Sequence, residues 1–152
     1  MTINPALIGK AGEVLVAGEL LRQGIEVAYP ASDVGVDLLA YRLAPNQTVP
    51  ARFVPIQVKS RAKSGYNFQR AWFDRVPGVV LVHVWNLATT PEFYIFDTLV
   101  TVEDALGPVY SKSPSWLHHG GYAVTVAREP HRALMKSHLN KWERITNQLP
   151  MA

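Results

Sequence analysis

Two short segments with alternating apolar and polar residues predict a pair of neighbouring strands. Segment 37–40 reads Asp-Leu-Leu-Ala, and segment 53–60 reads Phe-Val-Pro-Ile-Gln-Val-Lys-Ser. Successive side chains of a strand point to opposite faces, so Gln57 and Lys59 share one face and the apolar residues between them share the other. The intervening stretch contains proline and asparagine, which favour a surface turn. The sequence therefore predicts a hairpin that carries one acid, one amide and one lysine.

A helix is predicted ahead of this hairpin. Asn4 followed by Pro5 fits an N-cap with proline at the first helical position, and Gly24 is a typical C-terminal stop. Glu13 shares a face with residues 9, 16 and 20, so its carboxylate is expected at the edge of a packed surface; an ordinary surface glutamate is the alternative. A different face is expected to form the main apolar stripe, made of Leu7, Ala11, Val14, Leu15, Gly18 and Leu21.

The remaining strands favour an α/β fold. They are predicted at 25–28, 79–85, 92–97 and 122–126. The run 79–85 is apolar enough to be buried on both faces of a sheet, and its His83 is interpreted as a hydrogen-bonded core residue. A central mixed sheet of five or six strands is the expected result.

The second half of the chain also predicts two helices. Segment 101–106 fits a short helix that ends at Gly107, with a capping box from Thr101 to Asp104, and 108–121 is expected to be a loop. A final helix is expected to start at Glu129–Pro130 and to expose a basic side that includes Arg132, Lys136 and Arg144. Its buried stripe would comprise Leu134, Met135, His138, Trp142, Ile145 and Leu149.

Composition sets the outer limits. A length of 152 residues predicts one domain, 1–152, and 48% hydrophobic with 18% charged residues is typical of a globular protein. Cysteine is absent, which excludes disulfides and thiolate zinc sites. The sequence has no apolar run of about 18 residues and no signal-peptide pattern, so a cytoplasmic protein without a membrane partner is expected. A net charge of +3 permits a nucleic-acid partner.

Three motifs follow one another in the first half of the chain. They are Gly9-x-x-Gly12-Glu13 in the helix, Pro30-x-x-Asp33-x-Gly35-x-Asp37 before the hairpin, and Ile-Gln-Val-Lys-Ser at 56–60. Over about residues 5–64 this order resembles the PD-(D/E)XK, or restriction-endonuclease-like, superfamily, in the branch of the Holliday junction resolvases and Mrr-type enzymes. The resemblance implies an α/β fold with a central mixed sheet flanked by helices, the αβββαβ core.

The resemblance also implies a metal-dependent active site. Glu13 and Asp37 would bind Mg²⁺ or Mn²⁺ together with Gln57 and the carbonyl of Val58, and Lys59 would support the attacking water or the scissile phosphate. Carboxylate and carbonyl oxygens suit these hard ions. Gln57 departs from the family pattern, because an amide brings an oxygen but no negative charge. Asp33 is either a further acid near the metal or a turn residue with an Asx-type hydrogen bond.

The most basic window of the chain follows the second strand of the hairpin. Arg61, Lys63 and Arg70 are the candidate nucleic-acid contacts, since cations next to aromatic residues suit phosphates and bases. The alternative is a solvated loop that leads into a helix covering the sheet. The function expected is a divalent-metal-dependent endonuclease, with DNA as the favoured substrate and a homodimer as a compatible assembly. A catalytically inactive nuclease-fold module that binds nucleic acid or a protein partner is the alternative.

Overall fold

A computed structural model describes residues 3–151. Its seven strands are β1 (Glu26–Ala28), β2 (Leu38–Tyr41), β3 (Phe53–Ser60), β4 (Tyr66–Gln69), β5 (Val80–Trp85), β6 (Glu92–Phe96) and β7 (Gly121–Val124). Its helices are α1 (Pro5–Arg22), α2 (Arg70–Arg75), α3 (Leu99–Tyr110), α4 (Pro114–His119), α5 (His131–Met135) and α6 (Glu143–Thr146), with a 3₁₀ turn at Lys136–His138. Within the described residues, no helix is both long and apolar enough to cross a bilayer.

The main sheet is mixed and has five strands, as the sequence predicts. Its order is β1-β2-β3-β5-β6, with β3 and β5 parallel and the other neighbours antiparallel. β2 and β3 form the predicted hairpin, in which Leu38 lies opposite Ile56. β4 and β7 form a separate antiparallel pair, so the segment predicted as a strand at 122–126 does not join the main sheet.

The sheet separates two apolar cores. Ile56 and Val58 of β3 pack in the core that contains Val16 and Leu20 of α1. Leu81 and Trp85 of β5 pack in the other core, together with residues of β4, α3 and α4. Gln57 and Lys59 alternate with the residues of the first core and point away from it, as the period-two pattern predicts.

The predicted apolar stripe of α1 is wrong, because it faces solvent. Leu7, Val14, Leu15 and Leu21 are all exposed. The face that packs on the sheet is the one that carries Glu13, and its buried members are Gly12, Val16, Ala17 and Leu20. Both faces are apolar, so periodicity alone could not decide between them.

Two local predictions in the second half are corrected. The third helix starts earlier than expected: the Thr98 side chain caps it and forms a reciprocal capping box with Thr101. Gly107 interrupts the helical geometry with φ of 75° and ψ of 176°, so the first helical segment ends where predicted, and a second segment continues from there to Tyr110. The expected loop 108–121 contains α4, which Ser113 caps and whose Trp116 fills the second core. The proline of α4 sits in its first turn, where its missing N–H costs nothing.

The prediction of a single final helix is also wrong, because the helical conformation is interrupted between α5 and α6. Leu139 bridges to Tyr94, and the Asn140 amide donates to the Phe93 carbonyl at 2.7 Å, so β6 draws this backbone away from helical geometry. Met135, His138, Trp142, Ile145 and Leu149 are nevertheless buried as predicted. Arg144 does not lie on an open basic surface: its guanidinium donates to the Ile95 carbonyl and contacts His138 Nδ1.

His83 is buried as predicted but lacks the expected hydrogen bond. Its ring packs edge-on against Phe68 and Phe96, and neither nitrogen has a partner of standard geometry among the described residues. Burial, reinforced by the nearby Arg61 and Lys59 charges, lowers the pKa of His83 to about 3.

Candidate functional site

Asp37 lies directly before β2 and is fixed to β3 by two hydrogen bonds. Its backbone amide donates to the Ile56 carbonyl at 2.8 Å, and its carboxylate Oδ2 accepts from the Val58 amide at 2.7 Å. The side chain therefore continues the ladder beyond the end of the strand. A carboxylate anchored to backbone has little rotamer freedom, which is what a metal ligand or catalytic acid requires.

The environment of Asp37 disfavours its charged form. Desolvation by burial raises the pKa of its carboxyl, and the negative charges of Glu13 and Asp33 act in the same direction. The Val58 amide and the Lys59 ammonium oppose the rise in pKa. Three carboxylates thus influence one another near the open end of the hairpin, which is an arrangement that a cation would relieve.

Glu13 reaches this region because α1 approaches β3 closely. A Cβ atom at Gly12 would lie 1.6 Å from Ser60 Oγ, so only glycine allows the observed spacing. The half-buried Glu13 carboxylate accepts from the Lys10 ammonium at 2.7 Å. Together with Asp33 and Asp37, these two side chains line a depression of about 230 Å³.

A larger depression of about 750 Å³ adjoins the first. Gln57, Lys59 and Arg75 contribute its polar side chains, and Asp33 and Val36 line both depressions. Gln57 is buried, and its Oε1 has no hydrogen-bond partner among the described residues. A buried acceptor without a donor is costly in a folded protein unless a ligand or water satisfies it.

Aromatic contact holds the lysine of this depression. The Lys59 ammonium lies 4.8 Å from the ring centroid of Trp72, within the range of a cation–π interaction. Trp72 is half-buried: it packs against the second core and also lines this depression. Lys10, Trp72 and Arg75 were not predicted as site residues. The sequence carried no signal for them, because their positions depend on how α1 and α2 pack.

Asp33 is a turn residue that also lies close to Asp37. Its Oδ1 accepts from the Gly35 amide at 3.2 Å, which is the Asx-type turn. Its carboxylate also borders both depressions and raises the pKa of Asp37. The turn positions the acid at the junction of the two depressions.

The donor atoms at this junction are oxygens, which is the type that suits a hard divalent ion. The number of acids that come close together is less favourable. No group of three or more His, Asp or Glu side chains within residues 3–151 is close enough to form a ready metal cage. Asp37 Oδ1 and Gln57 Oε1 accept no side-chain or backbone hydrogen bond among the described residues, so both have unused acceptor capacity, although Gln57 Oε1 is buried. Mg²⁺ needs only one or two protein carboxylates, because it retains several waters.

The predicted nucleic-acid contacts differ in their availability. Arg61 and Lys63 are exposed, and their backbones hydrogen-bond to residue 84 near the end of β5 and to residues 86 and 87 just after it. Arg70 is half-buried: its guanidinium is 3.4 Å from Glu103 and stacks over Trp116 at 4.9 Å. A phosphate would therefore have to compete with contacts that Arg70 already makes.

Comparison with known proteins identifies the fold. No protein-family model and no curated protein sequence matches the chain. A solved structure does match, that of a bacterial homing endonuclease, I-Ssp6803I, with a TM-score of 0.58 and 17% sequence identity. The match covers 95% of this chain and 94% of the endonuclease chain. The chain thus has a nuclease-type α/β fold over nearly its whole length.

Proposed function

We propose that this protein is a divalent-metal-dependent endonuclease that cleaves DNA, built as a single PD-(D/E)XK-like domain in its Gln-x-Lys form. The observation that carries the proposal is the junction of the two depressions, where Asp37 and the unpaired amide oxygen of Gln57 lie near two further acids and Lys59. The likeness to a protein described as a homing endonuclease supports the same reaction class. A cytoplasmic location fits this function.

The metal ligands proposed are Asp37, Gln57, Glu13 and the Val58 carbonyl, with Mg²⁺ or Mn²⁺ as the ion. When bound, the ion would polarise the phosphate and lower the pKa of a coordinated water. Asp37 Oδ1 and Gln57 Oε1 are the fixed donors, since β3 holds both residues. Glu13 must leave or share its contact with Lys10 to join them.

Lys59 would stabilise the negative charge that develops on the phosphate. Its side chain lines the same depression as Gln57, and its ammonium lies over the ring of Trp72. Arg75 borders this depression and offers a second cation to an adjacent phosphate. Arg61 and Lys63 extend the positive surface beyond β3, and we keep Arg70 as a weaker candidate because of its contacts with Glu103.

The test combines cleavage with metal binding. Wild type should cut duplex or branched DNA in Mg²⁺ or Mn²⁺, and Asp37→Asn and Lys59→Ala should lose that activity. A divalent ion should raise the melting temperature of wild type but not of Asp37→Asn, because ligands that bind the native state stabilise it. Gln57→Glu should strengthen the metal-induced shift, since it adds a negative charge.

The two glutamates of α1 provide a matched control. Glu13→Gln should weaken metal binding, whereas Glu19→Gln should not, since Glu19 pairs with Arg22 at 2.6 Å and borders neither depression. Equal effects of the two changes would remove Glu13 from the site. Salt-dependent DNA binding without cleavage in any divalent ion would instead support the inactive nuclease-fold module.

A further inference from the structure

The outward face of α1 is apolar along its whole length. Leu7 is 63% exposed, Val14 55% and Leu21 58%, although a helix that covers a sheet normally turns polar residues to solvent. Ala11 and Gly18 lie between them on the same side. With Leu87 from the loop after β5, the first half of this face forms a shallow groove of about 500 Å³.

The spacing of these residues is that of a helix-pairing seam. Positions 7, 11, 14, 18 and 21 are separated by four, three, four and three residues, which is the repeat that keeps one stripe against a partner helix. Large residues occupy every seventh position from Leu7, and small residues occupy the two positions between them. Alternation of large and small side chains provides knobs and the spaces to receive them.

We propose that this seam binds the same seam of a second copy, with the two α1 helices antiparallel about a twofold axis near residues 12 and 13. In this register Leu7 lies against Gly18 of the second copy, and Val14 lies against its Ala11. Both of these large side chains therefore meet a small one, so the stretch from Leu7 to Gly18 is complementary to itself, and Leu21 lies opposite the N-cap position of the second helix. A Cβ at Gly18 would meet nothing within 4 Å in the monomer, which leaves room for a partner.

The charges beside the seam also favour a second copy. Lys10 pairs with Glu13 at 2.7 Å and Arg22 pairs with Glu19 at 2.6 Å, so each charge on the flanks is neutralised within its own helix. Two such faces meet without like-charge repulsion. A strongly charged partner such as nucleic acid would find no complementary charge there.

The size of the seam sets the expected affinity. An 18-residue helix is about 27 Å long, so an α1 pair alone buries less than the roughly 800 Å² per partner of a standard interface. The dimer should therefore dissociate in the micromolar range rather than be permanent. A twofold pair would relate two cleavage sites by the symmetry of duplex DNA, although the seam itself does not depend on the proposed function.

Sedimentation of the full chain across the micromolar range tests the pairing. Wild type should pass from monomer to dimer, and Val14→Glu should remain monomeric at every concentration. Val100→Glu is the matched control: it also adds an acid at an exposed valine, 74% exposed on α3, and should dimerise like wild type. Gly18→Trp should likewise prevent pairing, and circular dichroism should show that all three variants are folded.

The absence of native cysteine permits a direct test of direction. A Leu7→Cys chain mixed with a Gly18→Cys chain should form a mixed disulfide, because the two positions face each other. Neither chain should cross-link with itself, since the like positions would be about 16 Å apart along the helices, too far for a disulfide. A monomeric wild type, a dimeric Val14→Glu or preferential self-cross-linking would each overturn the proposal.

Discussion

Replacing Gly12 by alanine should push α1 away from the sheet. The new methyl would lie 1.6 Å from Ser60 Oγ and 2.7 Å from Ser60 Cβ. Rotation of the hydroxyl can relieve the first contact, but the second requires α1 or β3 to move by roughly 1 Å to restore ordinary contact. Overpacking of this kind costs about 1–3 kcal/mol, against a gain of about 0.5–1 kcal/mol from replacing a helical glycine. Gly12→Ala is therefore expected to be neutral to moderately destabilising.

Gly9→Ala is the matched control, because its Cβ would meet nothing within 4 Å. The gain in helix propensity is common to both variants, so their difference isolates the clash with Ser60. That difference should be about 1–3 kcal/mol in the free energy of unfolding, or roughly 3–9 °C in melting temperature for a chain of this size. Differential scanning calorimetry measures both.

A double-mutant cycle with Ser60→Gly completes the experiment. Removing the Ser60 side chain should recover at least about 1 kcal/mol of the Gly12→Ala penalty, since the two groups are in contact. If the enzyme acts as proposed, Gly12→Ala should also slow cleavage by about 100-fold, because a shift of 1 Å or more displaces the neighbouring Glu13. Equal stability of the Gly9 and Gly12 variants would refute the argument from close approach.

Three further outcomes follow from the charged groups. Asp37→Asn should raise stability at neutral pH while it abolishes cleavage. The pKa of Asp37 is raised in the folded state, so its charged form destabilises the fold as pH rises. Thermal melts at several pH values should show this effect. The wild-type protein should lose stability on acidification from about pH 6.5 toward 3, because the unfolded chain protonates His83 before the native chain does. His83→Phe should remove part of this loss. A dependence of stability on pH identical to that of wild type would contradict the burial of His83 as a neutral ring. Changing Arg61 and Lys63 to alanine should lower the slope of log K against log salt by up to about 1.8 for duplex DNA, measured by fluorescence anisotropy, and should spare the melting temperature. The control is the same double change at two other exposed cations, Arg132 and Lys136.

The sequence predicted the sheet and its central hairpin well, because these depend on short alternating segments. β3 has the predicted bounds, and its pairing with β2 follows from one turn. The choice of the buried face of α1 failed, since a helix that is apolar on both sides has no unique orientation until the sheet is present. The prediction of a single final helix failed for a related reason. The edge of β6 hydrogen-bonds residues 139 and 140, and the local sequence contains no sign of this contact with a distant strand.

The candidate site was predictable only where it depends on strand order. The positions of Asp37, Gln57 and Lys59 on neighbouring strands follow from the alternation of residues. Trp72 and Arg75 reach the same depression through α2, which the sequence placed only loosely. Arg70 shows the opposite case. The sequence predicted it as a nucleic-acid contact because it lies in a basic window, but its guanidinium pairs with Glu103, 33 positions away.

The hydrogen bond between the Val58 amide and Asp37 has a consequence for the choice of ion. Since Oδ2 already accepts from the Val58 amide, Oδ1 is the freer oxygen of Asp37 for an ion, and two-oxygen chelation would compete with this hydrogen bond. Calcium commonly takes carboxylates in the two-oxygen mode and collects six to eight ligands, whereas magnesium accepts single oxygens at octahedral corners and fills the rest with water. If Asp37 binds the proposed ion through Oδ1, the hydrogen bond that fixes this aspartate would also favour the single-oxygen coordination that magnesium accepts, before any second ligand is considered.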